Sequence, residues 1–359
     1  MRPYRLLACV LLLFLSATLV AEQPKVSYPP SAEVKAAFLK LLDRPRVPLN
    51  AKVLDTSTKD GLVTERISFA TEKKANGEEE RVPMLLVRPE KPGKKLPVVI
   101  ALHGTGGNKE GQRGLLEQLA KKGIVGVAID ARYHGERSGG AKGAAAYNEA
   151  ITRAWKTKEG EKQEHPFYFD TCWDLWRTVD YLQSRADIDG TRIGMIGFSM
   201  GGIETWLAAA VDERVLVSVP AIGVQSFRWS LENDQWQGRA KTIKAAHDAA
   251  AKDLGETEIN QKVCRVLWNK IIPGILDQFD CPSMIRLFAG RPLLILNGEK
   301  DPNCPVGGAQ LAFATAEEAF KAAGASDKLR IIVAKGVGHQ VTGEQKQAAM
   351  EWFEKWLKP

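Results

Sequence analysis

The sequence predicts an α/β fold built on a mostly parallel sheet with helices on both faces, and three observations carry that prediction. From Pro97 onward, six short apolar runs alternate with stretches of helical periodicity, and near-continuous apolar strands are what a parallel sheet covered on both faces requires. Before Pro97, two β-rich runs are joined by a linker containing Asn76-Gly77, the pair favoured in tight reversals with positive φ. Finally, the pentapeptide Gly197-Phe-Ser-Met-Gly201 stands between an apolar run and a helical one, so Ser199 falls where a strand turns into a helix.

The elements follow in chain order. Arg2 and Arg5 precede an apolar run from Leu6 to Val20 that ends at Ala21. This reads as a signal peptide over residues 1–21, and implies a secreted or periplasmic protein. An uncleaved membrane anchor is the alternative, since Leu19 is a poor residue three places before the cut. Leu6-Leu-Ala-Cys9 precedes the apolar run instead of following it, and so does not read as a lipidation site. Val34, Ala37, Phe38, Leu41 and Leu42 share one helical face that Pro45 and Pro48 end, giving an N-terminal helical extension over 22–60. Residues 62–70 and 81–88 form an antiparallel hairpin at the sheet's edge. The six further strands are expected at 97–102, 124–130, 192–198, 215–221, 292–297 and 329–334. Helices are expected at 110–122, 170–185, 199–211, 308–323 and 344–357.

Two connections, 131–169 and 222–290, exceed the length of ordinary loops. Long insertions after the C-terminal ends of strands sit over the usual ligand crevice, so residues 61–359 read as one catalytic domain with a lid insertion at 222–290. Trp229, Trp236 and Trp268 of that insertion are candidates for lining an acyl or sugar site, the alternative being that they form the lid's own core.

Composition narrows the function. The 359 residues carry a formal net charge of +7; loss of Arg2 and Arg5 with the leader leaves +5, spread along the chain as a solvated surface and not gathered as a nucleic-acid site. Four cysteines remain, Cys172, Cys264, Cys281 and Cys304; they either pair in one of three ways or stay as buried thiols. No CxxC or His/Cys cluster has metal spacing, so no structural metal is expected.

A serine on a sharp strand-to-helix turn is forced into a strained conformation that closes only beside residues without side chains, hence Gly197 and Gly201. Its hydroxyl then stands above the sheet, and the following helix brings free N–H groups to where an oxyanion would develop. Such a nucleophile needs a base and an acid to orient it, both of which follow it in chain order in this architecture. Only His247 and His339 come after Ser199. His339 lies just beyond the last strand, whereas His247 lies in a charged, alanine-rich stretch and reads as surface. For the acid, Asp301 follows the strand that ends in "NGEKDPNCP", with Glu299 its rival. The oxyanion donors are the Met200 N–H and, from the glycine-rich turn in "LHGTGGNK", the Thr105 N–H, with Gly106 the alternative. His103 props that turn. The mechanism needs neither metal nor organic cofactor.

In order, "HGTGG", "GFSMGG", "NGEKDPNCP" and "GVGH" resemble the α/β-hydrolase family. With "DARYHGERSG", they look like its dienelactone hydrolase, acetyl xylan esterase and prolyl-oligopeptidase-like branch. The resemblance implies the α/β-hydrolase fold, Ser199 as nucleophile, Asp301 as acid and His339 as base, acting on a small-molecule ester. Arg132 and His134 are expected to buttress the site. Compact dienelactone hydrolases carry a cysteine nucleophile and no large lid, whereas this chain has Ser199 and a long second insertion. A small-peptide hydrolase and a catalytically silent binding protein are the alternative functions.

Overall fold

Nine strands form one sheet in the computed structural model, which describes residues 27–358. They are β1 (Lys52–Lys59), β2 (Leu62–Lys73), β3 (Glu79–Pro89), β4 (Leu96–Leu102), β5 (Val125–Ile129), β6 (Ile188–Phe198), β7 (Val215–Ala221), β8 (Leu293–Gly298) and β9 (Leu329–Ala334). Their order is β1-β2-β3-β5-β4-β6-β7-β8-β9. The pairs β1–β2, β2–β3 and β3–β5 are antiparallel, and every pair from β5 through β4 to β9 is parallel. The expected signal peptide lies outside the described residues. No described helix is long and apolar enough to cross a membrane.

Strands β4, β5 and β8 are buried along their whole length, because helices cover both faces. Val98, Ile100 and Leu102 of β4 point to one core layer, with Leu175 and Val179 of helix Phe169–Ser184 and Ile203 and Leu207 of helix Met200–Val211. Val99 and Ala101 point to the other, with Leu116 and Leu119 of helix Arg113–Lys121 and Phe353 and Leu357 of helix Gly343–Leu357. The alternation is the two-residue period of a strand read from both sides. β4 is followed by β5 on one flank and β6 on the other, so the chain reverses direction across the sheet between β4 and β6. A ligand crevice opens at such a reversal, beyond the carboxyl ends of the strands.

The hairpin of β2 and β3 is present, but it is not the edge. β1 pairs outside it, in a stretch read from the sequence as helical extension. All eight residues of β1 are exposed, so it has no apolar face for a periodicity argument to detect. Its turn did carry a signal: Asp60 and Gly61, both at positive φ, are the two-residue reversal between Lys59 and Leu62.

The two long connections carry helices and pack on each other. Helix Ala145–Lys156 of the first lies against helices Lys244–Asp253 and Gln261–Ile271 of the second. The Trp155 indole N–H donates to Asp253 at 2.8 Å, and Lys270 Nζ donates to Thr157 O at 2.8 Å. Cys172, Cys264, Cys281 and Cys304 are free and buried.

Candidate active site

Ser199 sits between β6 and helix Met200–Val211 with φ +56 and ψ −110, a left-handed conformation that costs a non-glycine residue of order 1–3 kcal/mol. The turn is too tight for side chains around it. A Cβ on Gly197 would lie 2.0 Å from Gly201 O, one on Gly201 2.6 Å from Leu102 Cβ, and one on Gly202 2.5 Å from Ala221 O. The first two glycines follow from the elbow motif; the third answers to β7, which only the fold brings alongside.

His339 and Asp301 meet this serine from the loops after β9 and β8. His339 Nε2 is 2.7 Å from Ser199 Oγ, and His339 Nδ1 is 2.9 and 2.8 Å from the two Asp301 carboxyl oxygens. An ionised carboxylate only accepts, so Nδ1 carries the proton and Nε2 is left to accept from the serine hydroxyl. Asp301 is buried, and its Oδ1 also accepts from the N–H groups of Asn303 at 2.8 Å and Cys304 at 2.9 Å. The rival acid Glu299 takes no part: its carboxylate accepts from Gly336 N at 2.7 Å, bracing the loop that carries His339. A Cβ on Gly298 would lie 2.2 Å from Gly338 O, so a bare glycine at the end of β8 lets the two loops close.

The glycine-rich turn after β4 abuts the serine, since a Cβ on Gly104 would lie 3.5 Å from Ser199 Cβ. Gly107 N donates to Gly104 O at 3.0 Å. This closes a four-residue turn whose two central N–H groups, those of Thr105 and Gly106, stay outside its own hydrogen bond. Met200 is the first residue of its helix, so its N–H has no intrahelical acceptor. His103 props the turn as expected: Ala131 N donates to Nε2 at 3.2 Å, which puts the proton on Nδ1, 2.8 Å from Gly104 O. Burial lowers its pKa and keeps it neutral. Asp130 ties the same turn to the loop after β5. Its carboxylate accepts from Lys109 N and Nζ, both at 2.8 Å, and from Glu136 N at 3.0 Å.

The structure overturns the surface reading of His247 and shows where the three tryptophans lie. His247 is fully buried and not on the surface: its Nε2 accepts from the Trp268 indole N–H at 3.1 Å, and burial lowers its pKa to about 4. Trp268 is likewise fully buried inside the 222–290 insertion, so the structure does not bring it to a surface a substrate touches. Trp229 is half-buried, its ring laid on Gly307, where a Cβ would lie 2.3 Å from Cζ2; it packs the insertion onto helix Val306–Ala322. Trp236 is half-buried, with its indole N–H given to Asp234 at 2.9 Å.

Arg132 forks onto Asp174 and reaches Glu72, while His134 Nδ1 lies 2.9 Å from Arg132 O; these bonds tie the loop after β5 to helix Phe169–Ser184 and to β2. A cleft of about 810 Å³ opens between the β2–β3 hairpin and the loop after β5, lined by Glu72, Arg81, Arg132, Tyr133 and Arg137 among others. None of Ser199, Asp301 or His339 lines it. Asp301, Cys304 and His339 offer ligand atoms within 4.8 Å of one another. They are a poor cation site, because Arg239 Nη2 sits 3.2 Å from Cys304 Sγ and burial pushes that thiol up to about 12.

The model of the dienelactone hydrolase family matches residues 82–264 of this sequence, more than half of the chain. The chain belongs to the dienelactone hydrolase family. Among similar proteins, the Bacillus subtilis (strain 168) protein YtaP, whose name proposes a hydrolase, is 26% identical over 337 residues, covering 90% of this chain and 98% of its own. YitV of the same strain, whose name proposes an esterase, is 25% identical over 281 residues, 77% of this chain and 96% of its own. This chain shares its fold with esterases of known structure. Acetyl xylan esterase 1 from Thermoanaerobacterium sp. JW/SL YS485 superposes with a TM-score of 0.66 at 18% identity, covering 92% of this chain and 94% of its own. A glucuronoyl esterase from Solibacter usitatus gives 0.63 at 17%, covering 92% of each. Identity this low speaks for the α/β-hydrolase fold alone.

Proposed function

We propose that this dienelactone hydrolase family member is a serine esterase that cleaves small carboxylic esters through an acyl-enzyme. The observation that supports it most is the unbroken hydrogen-bonded line from Ser199 Oγ through His339 to the buried Asp301 carboxylate. In this reading His339 Nε2 takes the hydroxyl proton as Ser199 Oγ attacks the ester carbonyl, and Asp301 stabilises the imidazolium that forms. The N–H groups of Met200 and of Thr105 receive the oxyanion. The alkoxide leaves with the proton from Nε2, and a water deprotonated by the same nitrogen releases the acid and restores the serine. The proposal extends to the substrate's chemistry: the esterases that share the fold are named for acylated or uronic sugars, and an acylated carbohydrate outside the cytoplasm suits a chain whose first 21 residues read as a leader.

Ser199→Ala tests the reading. Turnover of an activated ester should fall by a factor on the order of 10⁴ or more with the fold unchanged, and wild-type protein should label at Ser199 with a fluorophosphonate. Undiminished ester hydrolysis in the variant refutes the assignment, and failure of the wild type to label would favour a silent binding protein. A panel of aminoacyl amides beside acetylated sugars separates a small-peptide hydrolase from an esterase.

A further inference from the structure

Arg239 lies in helix Gln237–Thr242 of the 222–290 insertion and is 1% exposed. A buried guanidinium is expensive unless it is paired and hydrogen-bonded, so where its donors go is informative. Nη2 donates to Asn303 O at 3.0 Å and to Cys304 Sγ at 3.2 Å, and Nη1 donates to Tyr168 OH at 3.2 Å. Gln225, oriented so that both ends of its amide are paired, accepts from Arg239 Nε at 3.0 Å and donates to Asn303 O at 2.7 Å. None of these acceptors is a carboxylate.

The two residues gripped by Arg239 are the two whose N–H groups hold Asp301. Asn303 N and Cys304 N both donate to Asp301 Oδ1, while Asn303 O and Cys304 Sγ take the guanidinium. Next to it, Gly238 leaves no room for a side chain: a Cβ there would lie 2.0 Å from Pro302 O. Cys304 is held from its other side as well, its thiol donating to Ile222 O at 3.1 Å. The insertion thus closes on residues 302–304 of the acid loop at three consecutive positions. The charge at Arg239 also acts on Asp301, which is among the groups that raise the guanidinium's pKa against burial.

We infer that Arg239 is a positioning residue: from the insertion it clamps the Asn303–Cys304 segment so that the Asp301 carboxylate meets His339 Nδ1 with both oxygens. This rests on the esterase reading above. Arg239 touches neither substrate nor reacting atoms. Its effect passes through Asp301, so its removal lowers turnover without changing how substrate binds.

A double-mutant cycle on the full-length protein tests this, with turnover expressed per Ser199 labelled by fluorophosphonate. Arg239→Met keeps the volume and removes every donor. It should lower kcat by about 10–100-fold, with KM within about twofold of wild type. Arg239→Lys restores the charge without the fork and should recover only part of the loss. In an Asp301→Asn background, Arg239→Met should cost less than about twofold more, because the group it positions is already disabled. Tyr168→Phe removes one acceptor of the guanidinium and keeps the ring. It serves where Arg239→Met does not fold, with a smaller loss of kcat that is again absent in the Asp301→Asn background. Equal losses in both backgrounds, or a raised KM at unchanged kcat, overturn the inference. Turnover surviving Ser199→Ala defeats the esterase reading itself, whatever Arg239 does; an inactive Ser199→Ala with independent Arg239 and Asp301 losses defeats the clamp alone.

Discussion

At the scale of single residues, Glu204 shows how the nucleophile's helix spends stability near the site. It stands five residues after Ser199, fully enclosed, with both carboxyl oxygens lacking a hydrogen-bond partner. Burial, with the nearby Asp174 charge, pushes its pKa well above the usual 4.5 against the opposing pull of the Thr171 side chain and the Arg137 charge. The folded state therefore keeps a proton that the unfolded chain gives up above pH 4.5, so stability contributed by this group is present below that pH and lost as pH rises toward the folded value. Glu204→Gln is isosteric and does not titrate. It should be more stable than wild type by an amount that grows steadily as pH rises from about 4.5 toward about 8, read from urea midpoints across that range. A difference that is flat with pH would show that Glu204 is already ionised when folded. At this same scale the elbow glycines Gly197 and Gly201 and the pair Asp301–His339 were legible, because a motif and its distance from a strand end are properties of the chain alone. His247 was not: its alanine-rich, charged neighbours suggest exposure, and only the packing of its helix on Gln261–Ile271 reveals which face is inside.

At the scale of elements, the helix that follows Ser199 is capped from a distance. Arg291, just before β8, donates through Nη1 to Ala209 O at 2.8 Å, Asp212 O at 3.3 Å and Val215 O at 2.8 Å, and through Nη2 to Ala210 O at 2.9 Å and Leu287 O at 3.3 Å. These include carbonyls of the last turn of helix Met200–Val211, which otherwise have no partner, and the cation sits at the negative end of the helix dipole. Its pKa is lowered to about 10 by burial, so it stays charged at neutral pH. Arg291→Met should cost about 2–4 kcal/mol, measured by chemical denaturation, with kcat per labelled Ser199 far less affected. A loss below about 0.5 kcal/mol, the range of ordinary surface substitutions, would mean that water satisfies those carbonyls as well. Strands from β4 to β9 were readable because each is an apolar run bounded by turns. β1 was not, since an exposed edge strand has no buried face and its residues carry only the Asp60-Gly61 reversal to mark it.

At the scale of the molecule, the two insertions and the sheet make one packed body in which all four cysteines of the described residues are enclosed. Burial pushes the Cys264 thiol up to about 12 and the Cys172 and Cys281 thiols well above their usual value, and the thiolate, not the thiol, reacts. A thiol reagent should therefore modify none of Cys172, Cys264, Cys281 or Cys304 in the native protein and all four after denaturation, as followed by peptide mapping. Rapid native labelling of Cys264 would show that the insertion opens away from the sheet, against the contacts between helices Ala145–Lys156 and Lys244–Asp253. Resistance of all four in the unfolded, unreduced protein would reveal disulfides instead.

By itself the sequence determined the sheet class, the strand-to-helix elbow and the order in which serine, acid and histidine follow one another, because these depend on local periodicity and on which residue stands at a strand's end. Only the tertiary structure decided where the 222–290 insertion packs. Its tryptophans are candidates for a substrate wall but read more often as the insertion's own core, and Arg239 carries no mark that separates it from a solvated arginine. Whether a long side chain reaches water, a ligand or the backbone of a distant loop depends on which surfaces the fold brings together, and here the fold brings Arg239 to the carbonyl of Asn303.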